Sequence, residues 1–428
     1  MYDVIAIIIA PIVGIIVGLL PAIGALMTMI AFYPLLVAVD PLTSICFYAM
    51  MLTASQFSGS VAAIWFGVLG ESTSIPVLQE RSYVINNNLH MVALRNTSYS
   101  SIVAAIISSA LLILVIYIGV ENKWLLRSET LALILSIVLL FCVFWPENKW
   151  YWNVCLILFG LFLGYIGFDP LTRTEFFTFG NSYLYGGLPN MSVVLGLYAV
   201  PMLFLLYKKK YVFDSIKITN QNSASFPLIS SVRGSIIGFF SGLLPMIGTI
   251  ISSNLAHFIE KRLNKNELER ITSAEASNNA AVISVLIPLL LLGLPIQPSE
   301  LVLYEIITTN NWLKTDVTQL HVLFLAICIL FTAAVSYLIC FTFVGSIAEL
   351  YHKNYKLILN AVIFLIICNV LYTGWQSDQT IYYFVVFTIM LMFGILLSRL
   401  FDLLPALMAF LLQDQFFLIT NRLVEIYS

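Results

Sequence analysis

The heptapeptide GLLPAIG at residues 18–24 recurs almost unchanged as GLLPMIG at residues 242–248. Each copy interrupts a long hydrophobic run. Proline cannot continue the hydrogen-bond ladder of a helix and glycine permits tight backbone, so each copy is expected to break a helix. A simple kink in one long tilted helix is the alternative. The predicted break residues are Gly18, Pro21 and Gly24 in the first copy and Gly242, Pro245 and Gly248 in the second.

The composition around these breaks is that of a membrane protein. The chain has 428 residues, of which 60% are hydrophobic and only 10% charged, and its mean hydropathy is +0.97. Charge-free runs such as 102–120 and 322–344 can span a bilayer, which needs about 20 apolar residues per helix. The short alternating strands of an outer-membrane barrel are absent from the sequence. We therefore expect an all-α polytopic membrane protein with about 10–12 transmembrane segments.

The sequence contains no sign of catalysis. It has no HExxH, GxSxG or phosphate-loop motif and no histidine–aspartate pair at metal spacing. Its six cysteines lie inside apolar runs without CxxC spacing, and its net charge of −2 gives no reason to expect nucleic acid. We expect no enzyme, no metal site and no cofactor.

The GLLP copies belong to a longer internal repeat. Each is followed by a polar, small-residue patch, SQFSGS at 55–60 and TSAEASNN at 272–279. Each patch leads into a second broken stretch, WFGVLGESTSIP at 65–76 and IPLLLLGLPIQPSE at 287–300. Repeats with broken helices at corresponding positions are typical of secondary transporters.

The repeat divides the chain at its most polar stretch. We predict a first membrane repeat at 1–207, a cytoplasmic linker at 208–227 and a second membrane repeat at 228–428, with the two repeats inverted relative to each other. Basic clusters flank the 228–258 segment on both sides, and Lys and Arg favour the cytoplasmic face. This segment of about 30 residues is too short for two full spans, so we predict a re-entrant hairpin with both ends cytoplasmic.

The polar patches are the candidate binding residues. Hydroxyls and backbone N–H groups at half-helix starts suit an organic anion, and amide or carboxylate oxygens suit a hard cation. We expect Asn278 and Asn279 at a helix break or a helix end, facing Ser58–Ser60 across a polar cavity. Packing by small residues is the alternative for the serines, and an interfacial carboxylate in water is the alternative for Glu71 and Glu275. The candidates are Ser58, Gly59, Ser60, Gly70, Ser72, Thr73, Asn278, Asn279, Gly293 and Pro295 for substrate, and Ser55, Gln56, Glu275 and Asn278 for a cation, with Pro288 as a further break.

Four stretches together resemble a known family. They are GLLPAIG, FSGSVAAIWFGVLGESTS at 57–74, GLFLGYIGFDPLTRTEFFTFGNSYLYGGL at 160–188, and AEASNNAAVISVLIPLLLLGLP at 274–295. In this order they are similar to the TctA-type large membrane subunit of the tripartite tricarboxylate transporters. The chain departs from the family pattern at Leu69–Gly70, at Pro295–Ile296 and at QERSY (79–83).

The resemblance implies a substrate-translocating subunit in the bacterial inner membrane. Such a subunit moves tri- or dicarboxylates with sodium or proton coupling, beside a small membrane subunit and a periplasmic solute-binding protein. A homodimer is a further expectation. The alternative is a relative without transport activity that serves as a membrane scaffold or accessory protein.

Overall fold

The structure of the protein is a computed structural model that describes part of the chain. Three predicted break or site residues, Pro21, Gly70 and Pro245, lie outside the described residues, as do Glu71 and most of the polar linker. The described residues are 2–19, 24–66, 72–121, 136, 140, 142–144, 148–168, 175–201, 204, 225–244, 248–310 and 317–411.

The described residues form an all-α fold, as predicted, with one pair of two-residue strands. Before the polar linker the elements are α1 (Tyr2–Leu19), α2 (Ala25–Val37), α3 (Pro41–Val61), a π-helical turn (Ala62–Phe66), a 3₁₀ turn (Ser72–Ser74), α4 (Ile75–Gln79), α5 (Arg81–Asn86), α6 (His90–Glu121), α7 (Trp150–Gly164), β1 (Gly167–Phe168), β2 (Glu175–Phe176), a 3₁₀ turn (Ser182–Leu184), α8 (Asn190–Val194) and a π-helical turn (Leu195–Ala199).

The elements after the linker are again helices. α14 contains a kink at Phe343, where the backbone leaves helical geometry. The elements are α9 (Leu228–Gly242), α10 (Gly248–Arg262), α11 (Glu267–Ser284), α12 (Leu286–Leu292), α13 (Pro298–Thr309), α14 (Gln319–Gln376), α15 (Thr380–Leu397) and α16 (Leu404–Leu411).

The helices include membrane-spanning candidates. Among the described residues, five helical stretches are long and apolar enough to cross a bilayer: Tyr2–Leu19, His90–Ile118, Glu267–Leu292, Gln319–Phe343 and Thr380–Leu397. The polytopic fold class is therefore confirmed, whereas the inverted relation of the repeats stays a prediction.

The chain forms two compact units, each made of two separate segments. The first comprises Met1–Asn122 and Lys210–Tyr355, and the second comprises Lys123–Lys209 and Lys356–Ser428. The second unit has its own core, in which Leu156 and Leu163 of α7 lie in one cluster with Val386 and Met390 of α15. These units divide the chain differently from the predicted repeats, whose boundaries remain predictions.

The second GLLP stretch joins two antiparallel half-helices in the first unit. α9 ends at Gly242, and α10 begins at Gly248 and packs against α9. The start of α9 lies beside the end of α10, because Arg233 Nη1 donates to Glu260 Oε1 at 2.8 Å and Ser230 Oγ donates to Glu260 Oε2 at 3.2 Å. At about 1.5 Å per residue, either 15-residue helix is too short to cross the hydrocarbon core. The hairpin geometry predicted for 228–258 is therefore present.

The first GLLP stretch is built in a similar way. α1 ends at Leu19 and α2 begins at Ala25, and the two helices are in contact. The carboxylate of Asp3, in the first turn of α1, accepts the backbone N–H of Asp40 at 2.9 Å, just beyond the end of α2. Both GLLP stretches thus lie between two helices that are in contact and whose outer ends are tied by a carboxylate.

Glycines in both repeats set the closest helix contacts. A Cβ atom added at Gly14 or Gly18 of α1 would collide with the carbonyl oxygen of Met51 or Ser55 of α3. Added Cβ atoms at Gly238 and Gly242 of α9 would collide in the same way with the backbone of Ser277 and Ala281 of α11. The same four-residue spacing on both partners occurs twice. Gly18 and Gly242 therefore allow close packing near the ends of α1 and α9, in addition to preceding the predicted breaks.

Gly238→Ala is expected to lower the thermal stability of the protein. The added methyl group has no space against the Ser277 backbone, and overpacking of this kind costs about 1–3 kcal/mol. Gly24→Ala is the control, because a Cβ there meets nothing within 4 Å among the described residues. The temperature at which half of the detergent-solubilised protein loses its monodisperse peak provides the measurement. Equal midpoints for the two variants would show that the contact is not tight.

Cysteines introduced at Ser215 and Asn264 are expected to react with a membrane-impermeant maleimide from the same side of the membrane. Both positions flank the α9–α10 hairpin, whose outer ends are joined by Arg233 and Glu260. Labelling of right-side-out and inverted vesicles gives the measurement. Modification from opposite faces would restore the single kinked span.

Candidate functional site

The α11 helix carries the second polar patch through the middle of the first unit. It begins at a capping box, in which the side chain of Asn266 accepts the Glu269 N–H at 2.9 Å and the Glu269 carboxylate accepts the Asn266 N–H at 3.1 Å. Beyond its first turn the helix is enclosed by α3, α6, α9 and α10. Its polar side chains have at most 1% exposure: Thr272, Ser273, Glu275, Ser277, Asn278, Asn279 and Ser284.

Gln56 of α3 is the centre of one hydrogen-bond group. Its Oε1 atom accepts from Asn278 Nδ2 at 2.6 Å and from Thr73 Oγ1 at 3.2 Å. These bonds connect the first polar patch, the 3₁₀ turn in the second broken stretch of the first repeat (65–76) and the second polar patch. Three predicted site residues from both repeats are therefore brought together.

Asn279 forms a second group with α6. Its Nδ2 atom donates to Ser101 Oγ at 3.0 Å and to Glu275 Oε1 at 2.9 Å. Glu275 and Asn279 are one helical turn apart, so they lie on the same face of α11. Ser101 was not among the predicted site residues, although the run of hydroxyl residues at 97–101 indicates polar contacts inside an otherwise apolar helix.

Two amide oxygens of this cluster are left without partners. Asn278 Oδ1 and Asn279 Oδ1 are buried and have no hydrogen-bond partner in the described part of the chain. A buried polar atom without a partner costs about 1–3 kcal/mol of stability. A cation or a hydrogen-bond donor that binds these two oxygens would remove that cost. Amide and carboxylate oxygens are ligands that a hard cation prefers.

The expectation that the two asparagines lie at a helix break is wrong. Both lie inside α11, and the helix ends only at Ser284. Asn278 bonds directly to Gln56. The Ser58 hydroxyl instead donates within α3 to the Ala54 and Ser55 carbonyls at 3.1 and 3.2 Å, and it reaches the Gly14 carbonyl of α1 at 3.5 Å. The reason is spacing: Ser58 and Gln56 are two positions apart and so face different sides of α3.

The other first-patch residues make local contacts. Ser55 Oγ donates to the Leu52 carbonyl at 2.9 Å and Ser60 Oγ to the Gln56 carbonyl at 3.4 Å. Gly59 lies close to the Gly18 carbonyl and to Ser74 Oγ. Of Ser72 only the backbone is described, in the 3₁₀ turn. Small-residue packing, the alternative interpretation, thus accounts for the positions of Ser55, Ser58 and Ser60.

The second break of the second repeat is present where Pro288 and Gly293 predict it. The proline ring cannot accommodate the carbonyl four residues earlier, and α11 ends at that residue, Ser284. Gly293 ends α12 with φ of 67°, a left-handed conformation that favours glycine. Residues 294–296, including Pro295, are non-helical, and α13 begins at Pro298.

The carboxylate of Glu300 accepts hydrogen bonds from the backbone N–H groups at this break. Its Oε2 atom accepts from the backbone N–H of Ile296 at 2.7 Å and of Gln297 at 3.0 Å. Glu300 was not among the predicted site residues. Its position was nevertheless readable from the sequence, because Pro298 followed by a glutamate at the third helical position is a pattern of helix starts. In this conformation, the predicted anion-binding N–H groups of the second break are bound to a carboxylate of the chain itself.

A third contact joins the two repeats near their charged loops. Glu80, in the QERSY stretch that departs from the family pattern, accepts from His257 Nε2 at 2.8 Å and from Arg270 Nη1 at 3.2 Å. Arg81 Nε donates to the Ile64 carbonyl of the π-helical turn at 3.2 Å. This departure thus supplies contacts to α10, to α11 and to the end of α3. Among the described residues, no group of three or more potential metal-ligating side chains was found.

Comparison with known proteins supports the resemblance. The family model described as "Tripartite tricarboxylate transporter TctA family" matches residues 4–408. A similar curated protein, from Agrobacterium vitis, is described as "Uncharacterized 52.8 kDa protein in TAR-I ttuC' 3'region" and is 28% identical over 300 residues. The match covers 67% of this chain and 59% of that relative, which is less than two thirds of the relative's length. No solved structure matches the chain.

A double-mutant cycle of Gln56→Leu and Asn278→Leu is expected to show coupling. Each single change leaves a buried amide without its partner and should cost about 1–3 kcal/mol, whereas the double change removes both groups and should cost less than the sum. The thermal midpoint of the purified protein gives the measurement. Ser277→Ala is the control, because this hydroxyl has no partner in the described structure and its loss should not destabilise. Strictly additive effects would contradict the hydrogen bond.

Proposed function

The chain belongs to the tripartite tricarboxylate transporter TctA family, and from this membership we propose that it is the substrate-translocating subunit for an organic anion of the tri- or dicarboxylate class. The observation that carries the proposal is the buried cluster of Gln56, Thr73, Asn278 and Asn279, which draws polar side chains from both repeats into an apolar protein. Buried polar groups inside membrane proteins are characteristic of a transport pathway.

The substrate would bind beside this cluster, at the ends of the broken helices. Hydroxyls and backbone N–H groups would hold its carboxylates, because neither polar patch contains Lys or Arg. Thr73, Asn278 and the Gly293–Pro295 segment are the residues that we assign to the substrate. Ser58, Gly59 and Ser60 would act indirectly, by fixing α3 against α1.

Coupling would use sodium or protons. The oxygens of Glu275, Asn278 and Asn279 would provide the cation site, since the three residues lie within about one turn of α11 and the two asparagine Oδ1 atoms have no partner among the described residues. The chain has no nucleotide-binding motif, so an ion gradient is the energy source that fits the sequence. No metal or organic cofactor forms part of the proposal.

The proposed setting is the bacterial inner membrane. The name of the family implies a three-component system, and we propose that a small membrane subunit and a periplasmic solute-binding protein work with this chain. A homodimer is also proposed. Gene neighbours that encode the other two components, and co-purification with them, would test this assembly.

Reconstitution into liposomes tests transport itself. Uptake of labelled citrate, succinate and tartrate would be measured with and without an inward sodium gradient, at two external pH values. Gradient-dependent accumulation of one of these acids is the expected result. Failure of all three acids, together with loss of a partner protein from the membrane when the chain is deleted, would favour the scaffold alternative.

Asn279→Leu is expected to abolish uptake of the transported acid while the protein still folds. Leucine suits the apolar surroundings, but it cannot bond Ser101 and Glu275 or offer an oxygen to a cation. Asn96→Leu is the matched control, because Asn96 is equally buried, at 1% exposure, and no partner of its side chain is found in the described residues. Initial uptake rates at equal monodispersity give the comparison. Wild-type uptake by Asn279→Leu would move the site elsewhere.

A further inference from the structure

The carboxylate of Glu300 is completely buried at the start of α13. The residue has 0% exposure, and its Oε2 atom holds the N–H groups of Ile296 and Gln297. Its other oxygen, Oε1, is also buried and has no hydrogen-bond partner in the part of the chain that the structure describes. An ordinary capping-box glutamate lies at the protein surface, where water solvates the second oxygen.

The neighbouring helices offer this carboxylate no cation. The main elements packed against α13 are α2, α3 and α12, and their described residues include no Lys, Arg or His. The adjacent Ser299 hydroxyl pairs with the Tyr48 hydroxyl at 2.8 Å. The titratable side chains on these elements and on α13 itself are Tyr33, Cys46, Tyr48, Tyr304 and Glu305.

Opposing effects therefore act on the charge of Glu300. Burial without a counter-ion disfavours the ionised carboxylate, because a charge in a low-dielectric interior loses its hydration. Two short N–H bonds and the positive end of the α13 dipole favour the ionised form. A carboxyl group with such a balance can change its protonation state when one of these contacts is exchanged.

We propose that Glu300 is a proton-binding group of the transport cycle and that its ionised carboxylate takes the place of a substrate carboxylate at the start of α13. This inference rests on the proposed function. A proton binds to Oε1, the oxygen without a partner, and gives the neutral acid. The neutral acid is a weaker acceptor, so Ile296 and Gln297 release Oε2 and donate instead to the carboxylate of the incoming substrate. One proton is bound for each substrate carboxylate that enters, and no covalent bond of the chain or of the substrate changes.

Infrared spectroscopy of the full chain in lipid nanodiscs tests the proton site directly. On acidification, the wild type should gain a carbonyl-stretch band of a protonated carboxylic acid shielded from water, at a frequency distinct from that of the exposed carboxylic acids. Glu300→Gln should lack this band, and Glu305→Gln, on the same helix, should retain it. Glutamine can still accept N–H groups at this position of a capping box, so the variant is expected to fold. A band that persists in Glu300→Gln, or the absence of any such titrating band in the wild type, would overturn the proposal.

Citrate, succinate and tartrate binding test the exchange. At a fixed pH, the acid that binds should increase the protonated band of the wild type, since proton and substrate binding are reciprocally linked. Its affinity should depend less on pH in Glu300→Gln than in the wild type, while the ionisation of the acid itself is common to both. Identical pH dependence in the two proteins would refute the exchange. A Glu300 band that titrates in a chain that binds none of the acids would support the proton site and count against the proposed function.

Discussion

Burial of polar side chains on α11 is the constraint on which the first unit depends. Seven hydroxyl, amide and carboxyl side chains of this helix lie where water does not reach, and each is unfavourable there unless another group satisfies it. Gln56 from α3 and Ser101 from α6 supply partners at 2.6 and 3.0 Å. The helices that contribute these partners must therefore stay close to α11, and the close contacts of Gly238 and Gly242 bring α9 to its other side.

The sequence predicted features that have a local physical cause. Proline and glycine limit the backbone, so the GLLP breaks, the hairpin of α9 and α10 and the end of α12 at Gly293 could all be located. The long uncharged runs predicted a membrane protein, because a helix needs about 20 apolar residues to span a bilayer. The four motif stretches were specific enough to identify the family before any comparison.

The remaining features depend on which side of a helix a residue faces, and the repeat pattern did not specify this. Ser58 and Gln56 lie in one short patch, but only Gln56 faces Asn278. The polar character of Asn278 and Asn279 suggests a break, yet both lie inside α11, because Gln56 of α3 and Ser101 of α6 supply hydrogen-bond partners. Glu80 and its contacts to His257 and Arg270 join residues far apart in the chain, so only the three-dimensional structure could bring them together.

The glycine contacts also limit how the half-helices can move. Gly14 and Gly18 lie against the backbone of α3 four residues apart, where a Cβ atom has no space, so an axial slide of α1 would bring residues that carry a side chain against that backbone. α9 is fixed against α11 by the same arrangement. Such contacts prevent one helix from sliding along the other, but they leave each pair, α1 with α3 and α9 with α11, free to tilt as one rigid body. Conformational change in this protein would then be absorbed at non-helical connections such as 294–296, and the tightly packed helix pairs would be carried along without repacking.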